Sequence, residues 1–178
     1  MNKIELQNFI FSSNATRRKL LEYESELSKK YNVQVFRNHS FELVEHTISA
    51  YLDYAGIGVN FEYSGYDDSF SFSEVDISAD AIIVWVDAKR YNTDNFSGFL
   101  KGRLEQLRAM YSKSILLVPY GCDYKSEDNS IVVFSLDDIK NELGDKFTDE
   151  RVASVTGTSL SNVAMLKISK ELGLRYIP

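Results

Sequence analysis

The chain predicts a three-layer α/β/α domain built on a mostly parallel five-stranded sheet. Three observations carry this. Short apolar runs alternate with amphipathic helical stretches, and right-handed crossovers then favour one open parallel sheet with helices on both faces. The run Asp80-Ala81-Ile82-Ile83-Val84-Trp85-Val86-Asp87 is nearly continuous in apolar residues, as a strand covered on both faces requires. No internal repeat, Pro-rich linker or low-complexity tract interrupts the 178 residues, so residues 1–178 read as a single domain. The expected strand order is the flavodoxin-like 2-1-3-4-5.

Residues 6–11 read as the first strand. Residues 16–31 follow as a helix with Leu20, Leu21, Leu27 and Tyr31 inward. Residues 33–36 form a short second strand, and Ser40 is placed to cap a helix running to about Tyr54. Gly56 and Gly58 stop that helix. Alternation across Ile57-Gly58-Val59-Asn60-Phe61-Glu62-Tyr63 marks a third strand. Residues 80–87 are the fourth, a helix spans about 94–111, and residues 114–118 are the fifth strand. Residues 131–134 suit a short sixth strand, and residues 136–143 a short helix. A last helix covers about 160–172 and is closed by Gly173.

Composition bounds the function. A net charge of −6 argues against non-specific nucleic-acid binding, which needs a basic face, and gives no attraction to an anionic membrane. One cysteine, Cys122, cannot form an internal disulfide, and one Cys with two His cannot supply the usual four ligands of a structural zinc site. The N-terminal residues lack the apolar core of a signal peptide, and the longest apolar run, residues 81–86, is far too short for a bilayer span. A cytoplasmic location is the default expectation.

In this architecture ligands bind beyond the carboxyl ends of the strands. The loops expected there are 12–16, 37–40, 64–68, 87–92 and 119–124, with 156–161 before the last helix. Ser12, Ser13, Asn14 and Thr16 admit two roles: a nucleophile or oxyanion donor at a helix N-terminus, or simple caps. A flavodoxin-type phosphate loop would need a Gly, which this loop lacks. His39 is a candidate general base near neutral pH. Asp87 either faces a ligand or caps the turn before Lys89 and Arg90. Cys122 has no sequence-linked His to activate it. Gly157 permits a sharp turn, and Thr158 or Ser159 can cap the last helix while pointing it at the crevice. Tyr63, Tyr66, Phe70 and Phe72 could line an acyl or sugar site or cover a hydrophobic edge. Asp67 and Asp68 read as solvated loop carboxylates.

Phe9-Ile10-Phe11-Ser12-Ser13-Asn14-Ala15-Thr16, the strand at 79–87, and the segment from Asp149-Glu150-Arg151 to Ser161 together resemble the N-terminal SGNH-like domain of FkbH-like proteins. Those proteins join an esterase-like α/β domain to a haloacid-dehalogenase-type (HAD-like) domain. The tail Leu172-Gly173-Leu174-Arg175-Tyr176-Ile177-Pro178 looks like the junction between the two. The resemblance implies an excised domain, with Mg²⁺ chemistry confined to the missing HAD-like half and no cofactor in this one. It also implies acyl or glyceryl-type group transfer in surface-polysaccharide or natural-product biosynthesis, with an acyl donor or acyl carrier protein as partner. Ser13 is then the best match to the nucleophile, Ser12 the next, with Asn14, Thr16, Asp87, Thr158 and Ser159 around the ligand. The pattern departs from the family where it matters. Ser12-Ser13-Asn14 replaces Gly-Asp-Ser, Val86-Asp87-Ala88 lacks the Gly and Asn of the third block, and no His follows His46. A standard triad is not encoded, so His39 or the missing domain must supply the base. The competing expectation is a non-catalytic module that docks a carrier protein, a substrate or the neighbouring domain.

Overall fold

The computed structural model describes residues 1–13, 15–65 and 70–177. Two helices, α1 (Lys3–Ile10) and α2 (Arg17–Leu21), precede the first strand, β1 (Tyr31–Arg37). Then come α3 (Glu42–Ala55), β2 (Val59–Tyr63), β3 (Ala81–Asp87), α4 (Phe96–Met110), β4 (Ser114–Tyr120) and β5 (Ile131–Val133). Three α-helices follow, α5 (Asp137–Leu143), α6 (Ala153–Thr156) and α7 (Asn162–Glu171), and a π-helical segment at Leu172–Tyr176 continues past Gly173, which therefore does not close the last helix. The strands form one five-stranded sheet in the order β2-β1-β3-β4-β5, with β1–β3, β3–β4 and β4–β5 paired in parallel. The α/β class, the parallel sheet and the 2-1-3-4-5 order are as expected. The membership differs, because residues 6–10 are helical and residues 131–133 supply the fifth strand.

Contacts divide the chain into two compact units. Met1–Tyr31, Ser40–Asn60 and Asp137–Pro178 make a helical unit, while Asn32–His39 and Phe61–Leu136 make a sheet unit. In the sheet unit, period-2 alternation turns Ile82, Val84 and Val86 of β3 the same way as Ile115 and Leu117 of β4. Phe36 of β1 joins them, and Phe96, Leu100, Leu104 and Leu107 pack on that face from one stripe of α4. Burying each such side chain contributes about 1.5–3 kcal/mol. Phe70 and Phe72 are part of this core, with Phe72 edge-on to Phe36 at 5.0 Å, so these two rings cover the sheet instead of lining an open site.

In the helical unit, α1 stands where a strand was expected. The Asn2 side chain accepts the Glu5 N–H at 2.9 Å, and the Glu5 carboxylate accepts the Asn2 N–H at 3.0 Å. This reciprocal cap starts a helix. Leu6 and Ile10, four residues apart, are buried, whereas Ile4 and Phe11 are exposed. The apolar run is therefore helical spacing seen through a short window.

The long helix expected at 16–31 stops at Leu21. The Asp53 carboxylate accepts hydrogen bonds from Tyr23 Oη at 2.8 Å, Ser25 Oγ at 2.6 Å and the Glu26 N–H at 3.2 Å. Those bonds hold residues 23–26 out of the helix. Leu20 is buried, but Leu21, Leu27 and Tyr31, expected inward, are exposed. Ser40 does not cap α3. Its hydroxyl and the Phe41 N–H instead donate to the Glu42 carboxylate at 3.2 and 3.1 Å. At the final helix the cap is Ser161, whose Oγ accepts the Ala164 N–H at 3.1 Å, and not Thr158 or Ser159.

Candidate functional site

From β1 the chain passes to β2 on one flank of the sheet, and from β3 it passes to β4 on the other. The order therefore reverses between β1 and β3, and the edge beyond Arg37 and Asp87 is the switch point where such sheets bind ligands. Loops 37–40, 87–92 and 119–124 leave the carboxyl ends of β1, β3 and β4, as expected. The 12–16 turn does not. It joins α1 to α2, so Ser13 does not stand at a strand's carboxyl end as expected.

Asn38 ties the edge together. Its Nδ2 donates to the Asp87 carbonyl at 2.9 Å, and its Oδ1 accepts the Asp87 N–H at 2.7 Å. Its own N–H donates to the Trp85 carbonyl at 3.3 Å. One carboxamide thus replaces ladder bonds where the two strands end, in a buried setting where unmade bonds are costly.

His39 follows, with no exposed surface, stacked on the Trp85 indole at a centroid distance of 4.7 Å and an interplanar angle of 7°. Tyr120 lies beyond at 6.1 Å. Burial first, and the nearby Arg90 charge second, lower the imidazole pKa to about 3. The ring is neutral at pH 7.

Asp87 is also buried. Its Oδ1 accepts the Lys89 N–H at 3.0 Å, the expected cap of the following turn, and its Oδ2 lies 3.8 Å from Arg90 Nε. Lys89 Nζ reaches Tyr120 Oη at 3.5 Å and sits 5.3 Å from the centre of that ring. Cys122 is half-buried, and burial, followed by Asp123 and Asp87, pushes its thiol up to about 11. It is a thiol, not a thiolate, at neutral pH.

The remaining candidates lie in the helical unit. Ser12 Oγ donates to the Phe9 carbonyl at 3.1 Å, Ser13 is exposed, and Thr16 caps α2 through the Lys19 N–H at 3.5 Å. Thr158 and Ser159 are buried in the turn before α7. Thr158 Oγ1 accepts the Leu160 N–H at 3.2 Å, and the Ser159 carbonyl accepts the Asp149 N–H at 2.8 Å. Gly157 makes the sharp turn there with φ +72°. Asn14, Tyr66, Asp67 and Asp68 lie outside the described residues. His39 and Asp87 thus share the sheet edge, while Ser12, Ser13, Thr16, Thr158 and Ser159 do not belong to that unit. Asn38, Lys89 and Tyr120 fall within loops expected at this edge, but sequence reasoning assigned none of them a role of its own. The Asp87-Ala88-Lys89-Arg90 string just past the strongest strand was the available signal. Among the described residues no group of three or more His, Cys, Asp or Glu is placed to hold a metal ion, and no helix is long and apolar enough to cross a membrane.

Fold and edge together define a parallel α/β protein with a switch point between its first and third strands. No protein-family model and no curated protein matches the chain. Among solved structures it is similar to the N-terminal part of the protein BF1531 from Bacteroides fragilis, described as containing a phosphatase domain and complexed with Mg. The TM-score is 0.63 at 13% identity, over 86% of this chain and 53% of that one. The chain spans about half the length of that structure. The likeness is one of fold.

Proposed function

We propose that this chain is a non-catalytic binding module working beside a covalently linked HAD-like phosphatase-type domain, as in FkbH-like proteins. One observation carries the reading: the imidazole at the switch point is wholly buried against Trp85, and with its pKa lowered to about 3 it is too weak a base to take up a proton near neutral pH. A general base must come within hydrogen-bond reach of the proton it takes. Asp87 is likewise committed, to the Lys89 N–H and to Arg90. The fold likeness to a fragment that includes a phosphatase domain supports the linkage. On this reading Mg²⁺ belongs to the linked domain. Acyl or glyceryl-type transfer, with an acyl donor or carrier protein, is then work of the whole assembly, to which this chain contributes docking.

A second reading keeps an SGNH-like transferase site at Ser13, with Ser12, Asn14 and Thr16 around it and Thr158 and Ser159 as ligand contacts. It is favoured by the exposure of Ser13. Hydrolysis of p-nitrophenyl acetate and of a short acyl thioester separates the two. The binding-module reading expects rates equal to those of a Ser12→Ala/Ser13→Ala double variant. A rate abolished in Ser13→Ala overturns it. The linkage is checked in the coding sequence downstream of Pro178, where an Asp-x-Asp-x-Thr motif is expected.

A further inference from the structure

We infer that the hollow between α4 and residues 124–131 binds a small primary amine, its ammonium held by Glu105 and Glu127 and its apolar arm laid on Leu104, Tyr124 and Ile131. The site includes none of Asn38, His39, Asp87, Lys89 or Tyr120 from the switch-point edge, and it does not depend on whether the chain is catalytic.

Helical period makes one wall. Lys101, Leu104, Glu105 and Arg108 fall at i, i+3, i+4 and i+7 along α4 and so share a face. The segment that leads from β4 to β5 stands opposite, and the space between is about 360 Å³. That lies within the span of roughly 300–1,000 Å³ usual for small-molecule sites. Leu104 and Ile131 belong to the buried core and Tyr124 packs against it, which gives the hollow an apolar floor. A second hollow of about 200 Å³ shares Lys101, Tyr124 and Glu127 with the first, so the Lys101–Glu127 pair stands between the two.

The charged groups differ in how far they are committed. Arg108 donates to the carbonyls of Tyr111, Lys113 and Ser130 at 3.1, 2.7 and 2.7 Å. Asp128 Oδ1 accepts the Ser130 N–H at 2.8 Å. Lys101 Nζ lies 2.6 Å from Glu127 Oε2. Glu105 makes no hydrogen bond or ion pair among the described residues.

Lys101 shows which ion this hollow stabilises. The hydrogen bond and charge of Glu127, with Glu105 adding to them, raise the pKa of its ammonium. Burial raises the Tyr124 pKa; Lys101 opposes it, and Glu105, Glu127 and Asp128 raise it further, so three carboxylates act at that phenol. An ammonium is thus already held where carboxylates meet an aromatic ring, a setting that also favours a cation over the ring face. The Lys101–Glu127 pair is open to solvent, with side chains 49% and 82% exposed, and such pairs are weak. An incoming ammonium therefore displaces Lys101 at little cost. An inorganic dication is a poorer match, because among the described residues no three carboxylates are grouped to hold a metal ion.

The test follows amide resonances of Leu104, Glu105, Tyr124, Glu127 and Ile131 in the ¹⁵N-labelled full chain. The probe is 2-phenylethylammonium chloride, exchanged for sodium chloride at fixed ionic strength, with 2-phenylethanol as its uncharged counterpart. Saturable shifts centred on these residues are expected, with the alcohol about ten-fold weaker, the size of one charge-assisted hydrogen bond. Glu105→Gln should weaken the amine by about the same factor. Lys101→Met should tighten it about three-fold, because the competing ammonium is gone and Glu127 is released. Both side chains are exposed, so neither variant removes a core contact. Shifts that rise linearly without saturating, equal binding of amine and alcohol, or weaker amine binding in Lys101→Met would each overturn the site. Ester hydrolysis by the same samples would remove the binding-module reading while leaving the amine shifts intact, so the two failures are distinguishable.

Discussion

At His39, packing and solvation compete, and packing wins. Stacking on Trp85 removes the ring from water, and the protonated form cannot recover its hydration inside the sheet unit. The consequence is a pH dependence of definite sign. The folded pKa, about 3, lies below the ordinary histidine value of 6.5, so between those limits the unfolded chain binds the extra proton. Stability contributed by His39 is complete above about pH 6.5 and declines on acidification through the window. Between pH 8 and pH 5 the loss amounts to about 2 kcal/mol, following a slope of roughly 1.4 kcal/mol per unit. Urea titrations at both pH values should show this component in wild type and lack it in His39→Phe. An equal acid sensitivity in the two proteins would place the proton elsewhere.

Between elements, Asn38 performs a task that two strand ends cannot manage alone. Removing its side chain in Asn38→Ala leaves the buried Asp87 N–H and carbonyl without their partners. The expected cost is about 2–4 kcal/mol, one desolvation penalty for each group. It should appear as a lower urea midpoint at unchanged slope. A loss under about 0.5 kcal/mol would mean that water replaces the carboxamide without penalty. This bond also marks the limit of what the sequence makes legible. Strands β3 and β4 and helix α4 are readable because each has enough apolar residues for its period to stand out. The loops at their carboxyl ends follow directly. Asn38 acquires its role only when β1 pairs with β3, with its partner 49 residues away, and no local pattern encodes that. Residues 6–11 fail for a different reason. In so short a window a helix face and a strand give the same apolar count, and the deciding signal was the Asn2–Glu5 cap before it. The error carried Ser13 with it, because its placement at a strand end depended on that strand. Asp53, which ends the helix expected at 16–31, lies 30 residues from Tyr23 and was equally out of local view.

Over the whole molecule, protection from exchange should follow the sheet rather than the chain order. The middle strands β3 and β4 have neighbours on both edges, and Ile82, Val84, Leu117 and Val118 have no exposed surface. Their amides open only when much of the sheet unit does. Residues 22–30 have no regular secondary structure, and the Asp53 carboxylate anchors them through Tyr23, Ser25 and Glu26. Hydrogen exchange should therefore rank Ile82, Val84 and Leu117 slowest and residues 22–30 faster by several orders of magnitude. Asp53→Asn keeps the shape of the anchor but removes its charge and half of its accepting capacity. Exchange at Glu26 should accelerate further in that variant, with β3 unchanged. If Glu26 exchanges as slowly as Val84, or if Asp53→Asn leaves it unaffected, the segment is restrained by something other than this carboxylate. The helix begun at Thr16 would then stop after Leu21 for a reason other than the Asp53 carboxylate.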